Sequence, residues 1–186
     1  MIDEVLPKKN VGLWNSYCSP YESAKSKFQN HSLEFHTPHE RLRSEQEVRK
    51  QFEAQWIERN GKEVDMPEIP GGHEQVELGE TLFNKLFSVE NMWFTRGLNC
   101  EGAAFQKDAF FIKCGFSEKV NLSSAEVIGS AHLTDSCIIS DLSAENLKVG
   151  GRLVLNNVSV DGDLNLKKVA VAGPSLLRKL IVKGSS

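Results

Sequence analysis

In the second half of the chain, apolar residues recur at intervals of two, three, two and four, and then the cycle restarts. With the first residue of each cycle as position 0, the apolar places are +2, +4, +7 and +9 of an eleven-residue block. GRLVLNNVSVD (151–161) fills them with Leu153, Leu155, Val158 and Val160, and GDLNLKKVAVA (162–172) with Leu164, Leu166, Val169 and Val171. Stepping backwards in elevens keeps the phase, through Val120, Leu122, Ala125 and Val127 to Leu98, Cys100, Ala103 and Phe105. Eight blocks, 96–183, run without insertion or deletion. A ninth, 85–95, also fits but overlaps a helical pattern. Residues two apart face the same side only in an extended strand. Each block therefore predicts two short strands, +2 to +4 and +7 to +9, separated by two corner residues and linked to the next block by three more. A helix would need spacings of three and four. Such phase-keeping is the pattern of a β-solenoid whose inward side chains stack coil upon coil.

From Phe105 to Ile138 each inward pair is a small residue followed by a large one: Ala109/Phe111, Cys114/Phe116, Ala125/Val127, Ala131/Leu133, Ser136/Ile138. The large members step by alternating sixes and fives. This resembles the pentapeptide-repeat family, with one residue added at every second step. The resemblance implies a mainly β fold, a right-handed parallel β-helix with four sides per coil. One coil is then two blocks, 22 residues, and 96–183 gives about four coils, ~20 Å at one strand spacing per coil. A flattened coil of eleven residues is the alternative; its corners barely bridge two sheets. Past residue 140 the small place fills with Leu or Val, and the blocks resemble bactofilin cytoskeletal proteins.

The first half has a different pattern. TPHERLRSEQEVRKQFEAQWIERNG carries helix punctuation: Thr37 as cap, Pro38 in the first turn, Glu40 closing a capping box, and Gly61 as a left-handed stop. Leu42, Val48, Phe52 and Trp56 make a narrow apolar stripe. KEVDMPEIPGG (62–72) reads as an irregular connection. Leu78, Leu82, Phe83 and Leu86 suggest a second amphipathic helix over about 74–89. The expected organisation is an irregular segment 1–36, a helical cap or interaction region 37–95, and a β-helix domain 96–184. The helices are expected to cover the solenoid's open first coil.

Composition narrows the functional classes. The chain has 186 residues, 40% hydrophobic and 25% charged, an ordinary globular balance. Net charge is −3, with residues 1–95 acidic and 96–186 slightly basic. Neither half is charged enough to point to nucleic acid. MIDEVLPKKN has no apolar h-region and no membrane-length apolar run follows, so a cytoplasmic location, or delivery into a host cell without a Sec signal, is expected, with no membrane partner. The cysteines, Cys18, Cys100, Cys114 and Cys137, lack C-x-x-C spacing and read as free thiols.

Each chemical candidate has a plainer explanation. His36 and His39, with His31 and His73, form only an H-x-x-H whose members need not converge on a metal. Cys18 lacks a fixed base. Cys100 and Cys114 fall on inward places. His132 alternates with inward Ala131 and Leu133 and points outward. Gly150-Gly151 opens no phosphate loop. Asp141, Asp161 and Asp163 suit corners, and Lys167-Lys168 is a solvated corner pair. The chain is thus expected to have no catalytic, cofactor or metal site. The expected function is non-enzymatic protein binding or scaffolding. The resemblances imply three finer versions: a bacterial effector or inhibitor, a bactofilin-like self-assembling protein, and a DNA-mimicking topoisomerase inhibitor, the last needing an acidic face. The final coil, with apolar places up to Val182, is expected to form a homodimer, unless Pro174 diverts block 173 into a short capping helix.

Overall fold

The computed structural model describes residues 45–62 and 74–184. Segment 1–36, the caps Thr37, Pro38 and Glu40, and Cys18, His31, His36, His39 and His73 lie outside them. Helix α1 spans Glu45–Asn60 and stops where the sequence says. Gly61 has φ +83°, and its N–H donates to the Ile57 carbonyl at 2.9 Å, the single bond of a left-handed helix cap.

The remainder is a solenoid of all-parallel strands, about five coils of 22 residues. The first coil holds β1 (Val76–Glu77), β2 (Leu82–Phe83), β3 (Phe87–Glu90) and β4 (Trp93–Phe94); the second holds β5 (Leu98–Asn99), β6 (Ala104–Phe105), β7 (Ala109–Ile112) and β8 (Gly115–Phe116). The third has β9 (Val120–Asn121), β10 (Glu126–Val127) and a long β11 (Ala131–Ile138). The fourth has β12 (Leu142–Ser143), β13 (Lys148–Val149) and β14 (Leu153–Val160), and the fifth β15 (Leu164–Asn165), β16 (Ala170–Val171) and β17 (Ser175–Val182). The sheet orders are β1-β5-β9-β12-β15, β16-β13-β10-β6-β2 and β17-β14-β11-β7-β3, with β4 and β8 extending the third. Partners are 22 residues apart, as in Val76↔Leu98 and Leu133↔Leu155. The eleven-residue coil is thereby excluded.

Two expectations are corrected. The helix over 74–89 does not form: that stretch is β1, β2 and most of β3. Its Leu78, Leu82, Phe83, Leu86 spacing suits a helix, but Val76/Leu78 and Phe87/Val89 are two apart and in phase with the repeat. Pairing with the second coil decides between the two periods. The solenoid therefore starts at 76, within the region assigned to the helical cap, and has about five coils, not four. Block 173 also stays in the solenoid. Pro174 does not begin a helix, because β17 pairs with β14 from Ser175 to Val182.

A backbone feature explains the uneven spacing. At position +6 of every block the chain turns through positive φ: Glu80, Asn91, Gly102, Lys113, Ser124, Asp135, Asn146, Asn157, Lys168 and Lys179, all between 50° and 65°. One left-handed residue between +4 and +7 reverses the side-chain alternation, so both places face inward although they are three apart. The opening glycines serve a different need. Gly151 donates to the Gly129 carbonyl at 2.7 Å and Gly173 to that of Gly151 at 2.9 Å, and side chains there would strike the preceding coil.

Inside, like residues stack along the axis. Phe83 lies on Phe105, ring centroids 4.8 Å apart and nearly parallel, and Phe94 lies on Phe116 at the same spacing. That distance is the strand spacing itself. Outside, polar ladders tie coils together. The Asp108 carboxylate accepts from the Ser130 N–H at 2.7 Å, Asp141 accepts from the Asp163 N–H at 2.8 Å, and Asn99 donates to Glu77 at 2.8 Å.

Candidate interaction surface

The stack ends differently at its two limits. In the first coil Phe83, Val89, Met92 and Phe94 are buried. In the fifth, the residues at equivalent inward places are not: Leu177 is 50% and Val182 42% exposed, and Val171 and Leu180 are half-buried, whereas Leu164 and Leu166 are half-buried like Val76 and Leu78 of the first coil. Leu176 and Ile181, on the outer side of β17, are 43% and 58% exposed. One coil earlier Leu155 and Val160, the counterparts of Leu177 and Val182, are buried. The chemistry is the same at each place; what differs is a neighbour on the far side.

Backbone groups follow the same logic. The Leu142 N–H reaches the Asp163 carbonyl at 2.9 Å, Ala144 reaches Asn165 at 2.8 Å and Asn146 reaches Lys167 at 2.9 Å. The equivalent N–H groups of Leu164, Leu166 and Lys168 face outward along the axis, with no further coil among the described residues. The fifth coil thus ends in an open strand edge around an apolar centre.

Cations rim this end. Residues 164–184 contain Lys167, Lys168, Arg178, Lys179 and Lys183 and no Asp or Glu, whereas residues 76–163 contain twelve Asp/Glu and seven Lys/Arg. Lys167-Lys168 and Arg178-Lys179 occupy two corners, all four exposed. Lys183 pairs with Asp161 of the coil before at 2.9 Å. Residues 96–186 as a whole sum to only +2 (11 Lys/Arg and 9 Asp/Glu), so the concentration shows only at the length of one coil.

The other candidates have structural roles. Cys100 and Cys114 are buried, as their inward places imply, and so is Cys137, although it occupies an outward place. Burial pushes all three thiols up to about 12, helped by the Glu77 carboxylate near Cys100, Glu90 near Cys114 and Asp161 near Cys137. Backbone hydrogen bonds at Cys114, and Lys183 near Cys137, oppose the rise only in part. Thiols held in this way are poor nucleophiles. His132 does point outward, but it is half-buried against Phe110, rings 4.7 Å apart. Its pKa is lowered mainly by burial, with Asp108 opposing and Arg152 adding to the fall. A side chain on Gly150 would collide with the Ile128 carbonyl, so Gly150-Gly151 serves coil packing. Asp141 caps the Asp163 N–H and Asp161 holds Lys183. Among the described residues no three His, Cys, Asp or Glu side chains converge as metal ligands, and no helix is long and apolar enough to cross a membrane. A shallow groove lies at the corner lined by Lys85, Leu86, Lys107, Asp108 and Ile128; no thiol or imidazole lines it. No protein-family model, curated protein or solved structure matches the chain.

Proposed function

We propose that this chain is a non-enzymatic interaction protein: a rigid β-solenoid that engages another protein end-on through its fifth coil. The carrying observation is the exposure of Leu177, Ile181 and Val182 beside an open strand edge. Exposed apolar surface rimmed by polar residues is typical of protein contacts, and an open edge invites strand addition. Among the described residues the thiols are buried and poorly nucleophilic, which favours binding over catalysis. The pentapeptide-repeat resemblance supports this reading through its small-then-large inward pairs on a four-sided coil. The DNA-mimic version is disfavoured, because residues 76–184 hold as many Lys/Arg as Asp/Glu.

A second reading is self-association, as a two-fold dimer through the same coil. It draws on the same exposed leucines. Head-to-tail polymer growth is less well supported, since Phe83, Met92 and Phe94 of the first coil are already buried.

Photo-crosslinking from the full chain in its source cells tests the end-on contact. A photoreactive residue in place of Ile181 is expected to give a discrete protein adduct, and one in place of exposed Glu126, mid-stack, is expected to give none. Adducts from Glu126 alone, or from neither position, would refute the reading.

A further inference from the structure

We infer that the fifth coil docks an acidic, extended polypeptide segment, added as a further strand beside β17, rather than a second copy of this chain; this rests on the end-on reading above. Three features of the same surface point to such a partner. The apolar centre, with Leu164, Leu166, Leu177, Leu180 and Val182, asks for apolar side chains at alternate positions. The N–H groups of Ser175 and Lys179 in β17, which have no further coil to meet among the described residues, ask for carbonyl oxygens arranged as a strand supplies them; their equivalents Ala131 and Lys113 reach the next coil's Arg152 and Thr134 carbonyls at 2.8 and 2.9 Å. The rim of Lys167, Lys168, Arg178 and Lys179, with no acidic partner among the described residues, asks for carboxylates.

Charge decides between the possible occupants. Two copies meeting end to end would bring together ten Lys/Arg side chains and no Asp or Glu from their fifth coils. Like charges juxtaposed at a contact oppose it. A carboxylate-bearing strand meets the same rim with attraction, through charge-assisted bonds to Arg178. A lipid surface satisfies the cations but offers the open backbone edge no matching strand. A nucleic acid does likewise, and leaves the leucines without an apolar counterpart.

The test uses the full chain and a fluorescein-labelled synthetic peptide one block long. The peptide has Leu or Val at the four inward places, Asn-Gly at the corner and Asp or Glu elsewhere. Fluorescence anisotropy is expected to show saturable binding that weakens about tenfold or more when salt rises from ~0.05 to ~0.5 M, as screening shortens the reach of the charges. Hydrogen exchange is expected to slow at 164–182. Changing Lys167, Lys168, Arg178 and Lys179 all to Glu should weaken binding at least as much, with the thermal midpoint and circular dichroism showing that the solenoid remains folded. Should that variant unfold, the pairwise replacement Lys167→Gln with Lys168→Gln gives the same comparison at lower charge.

A lysine version of the peptide that binds equally well, with protection still at 164–182, overturns the acidic partner and leaves the end-on contact standing. Protection elsewhere overturns both. A dimer at ~0.15 M salt, binding to phosphatidylserine vesicles but not to the peptide, or no binding of the peptide, each overturns the acidic strand.

Discussion

At every +6 position a single residue turns the corner with φ between 50° and 65°. This conformation costs an L-residue roughly 1 kcal/mol or more, and glycine almost nothing. Lys113→Gly and Lys168→Gly are therefore expected to stabilise the fold by up to about 1 kcal/mol each in urea titrations, an unusual outcome for a glycine introduced in a β-fold. Gly150→Ala should go the other way, because its new methyl meets the Ile128 carbonyl. The corner column was half legible: Asn91, Asn146, Asn157, Asp135 and Gly102 tolerate this φ, but three lysines, a serine and a glutamate blur the signal. The inward register was legible from residue 96 onward. Phe111, 6% exposed, should cost ~3–5 kcal/mol when cut to Ala, while Lys113→Ala, two residues on, should stay within ~0.5 kcal/mol. The thiols add a pH dependence. Their folded pKa, about 12, lies above the unfolded value near 8.5, so the native state binds protons more tightly and their stabilisation is lost as pH rises through that window. Stability should fall from about pH 9 upward, and less steeply once Cys100 and Cys114 are replaced by Ala.

Elements formed where tertiary pairing, not local preference, decided between periods. The stretch 74–89 carries two overlapping patterns, and only its neighbour 22 residues on selects the strand. One sequence read in local windows does not weigh that neighbour. Pro174 misleads for a related reason. In earlier coils the N–H at this place bonds a side chain, Ser130 to Asp108 and Arg152 to Ser130, so a proline there removes no ladder bond. Trp93 and Cys137 are buried at outward places, which binary alternation has no means to indicate; Trp93 has Gly115 as its neighbour in β8, which leaves room beside the ring. The two final coils offer a position-matched comparison. Leu155 and Leu177 are paired at place +4, 4% and 50% exposed. Leu155→Lys should cost at least ~3 kcal/mol as a buried, unpaired charge, and Leu177→Lys under ~1 kcal/mol, measured by thermal or urea unfolding.

On the scale of the molecule the solenoid is electrically polar. Four coils sum to −5 and the fifth to +5, and the fifth, like the first, has a neighbouring coil on one side only among the described residues. Contacts in such a stack are between adjacent coils, so the end is the least stable part and the part with most to gain from a partner. If the cations hold copies apart, light scattering should find a monomer at ~0.15 M salt, with any self-association appearing only as salt rises; a dimer that weakens with salt would contradict this. The repeat made the architecture readable, and the partner was not readable because it depends on a charge distribution visible only once the coil length is known. Hydrogen exchange of the full chain, alone, tests the open end most directly. The N–H groups of Leu164, Leu166 and Lys168 should exchange orders of magnitude faster than those of Leu142, Ala144 and Asn146, which bond to the fifth coil. Equal protection of the two sets would mean that the fifth coil is already covered, and would contradict its role as the contact end.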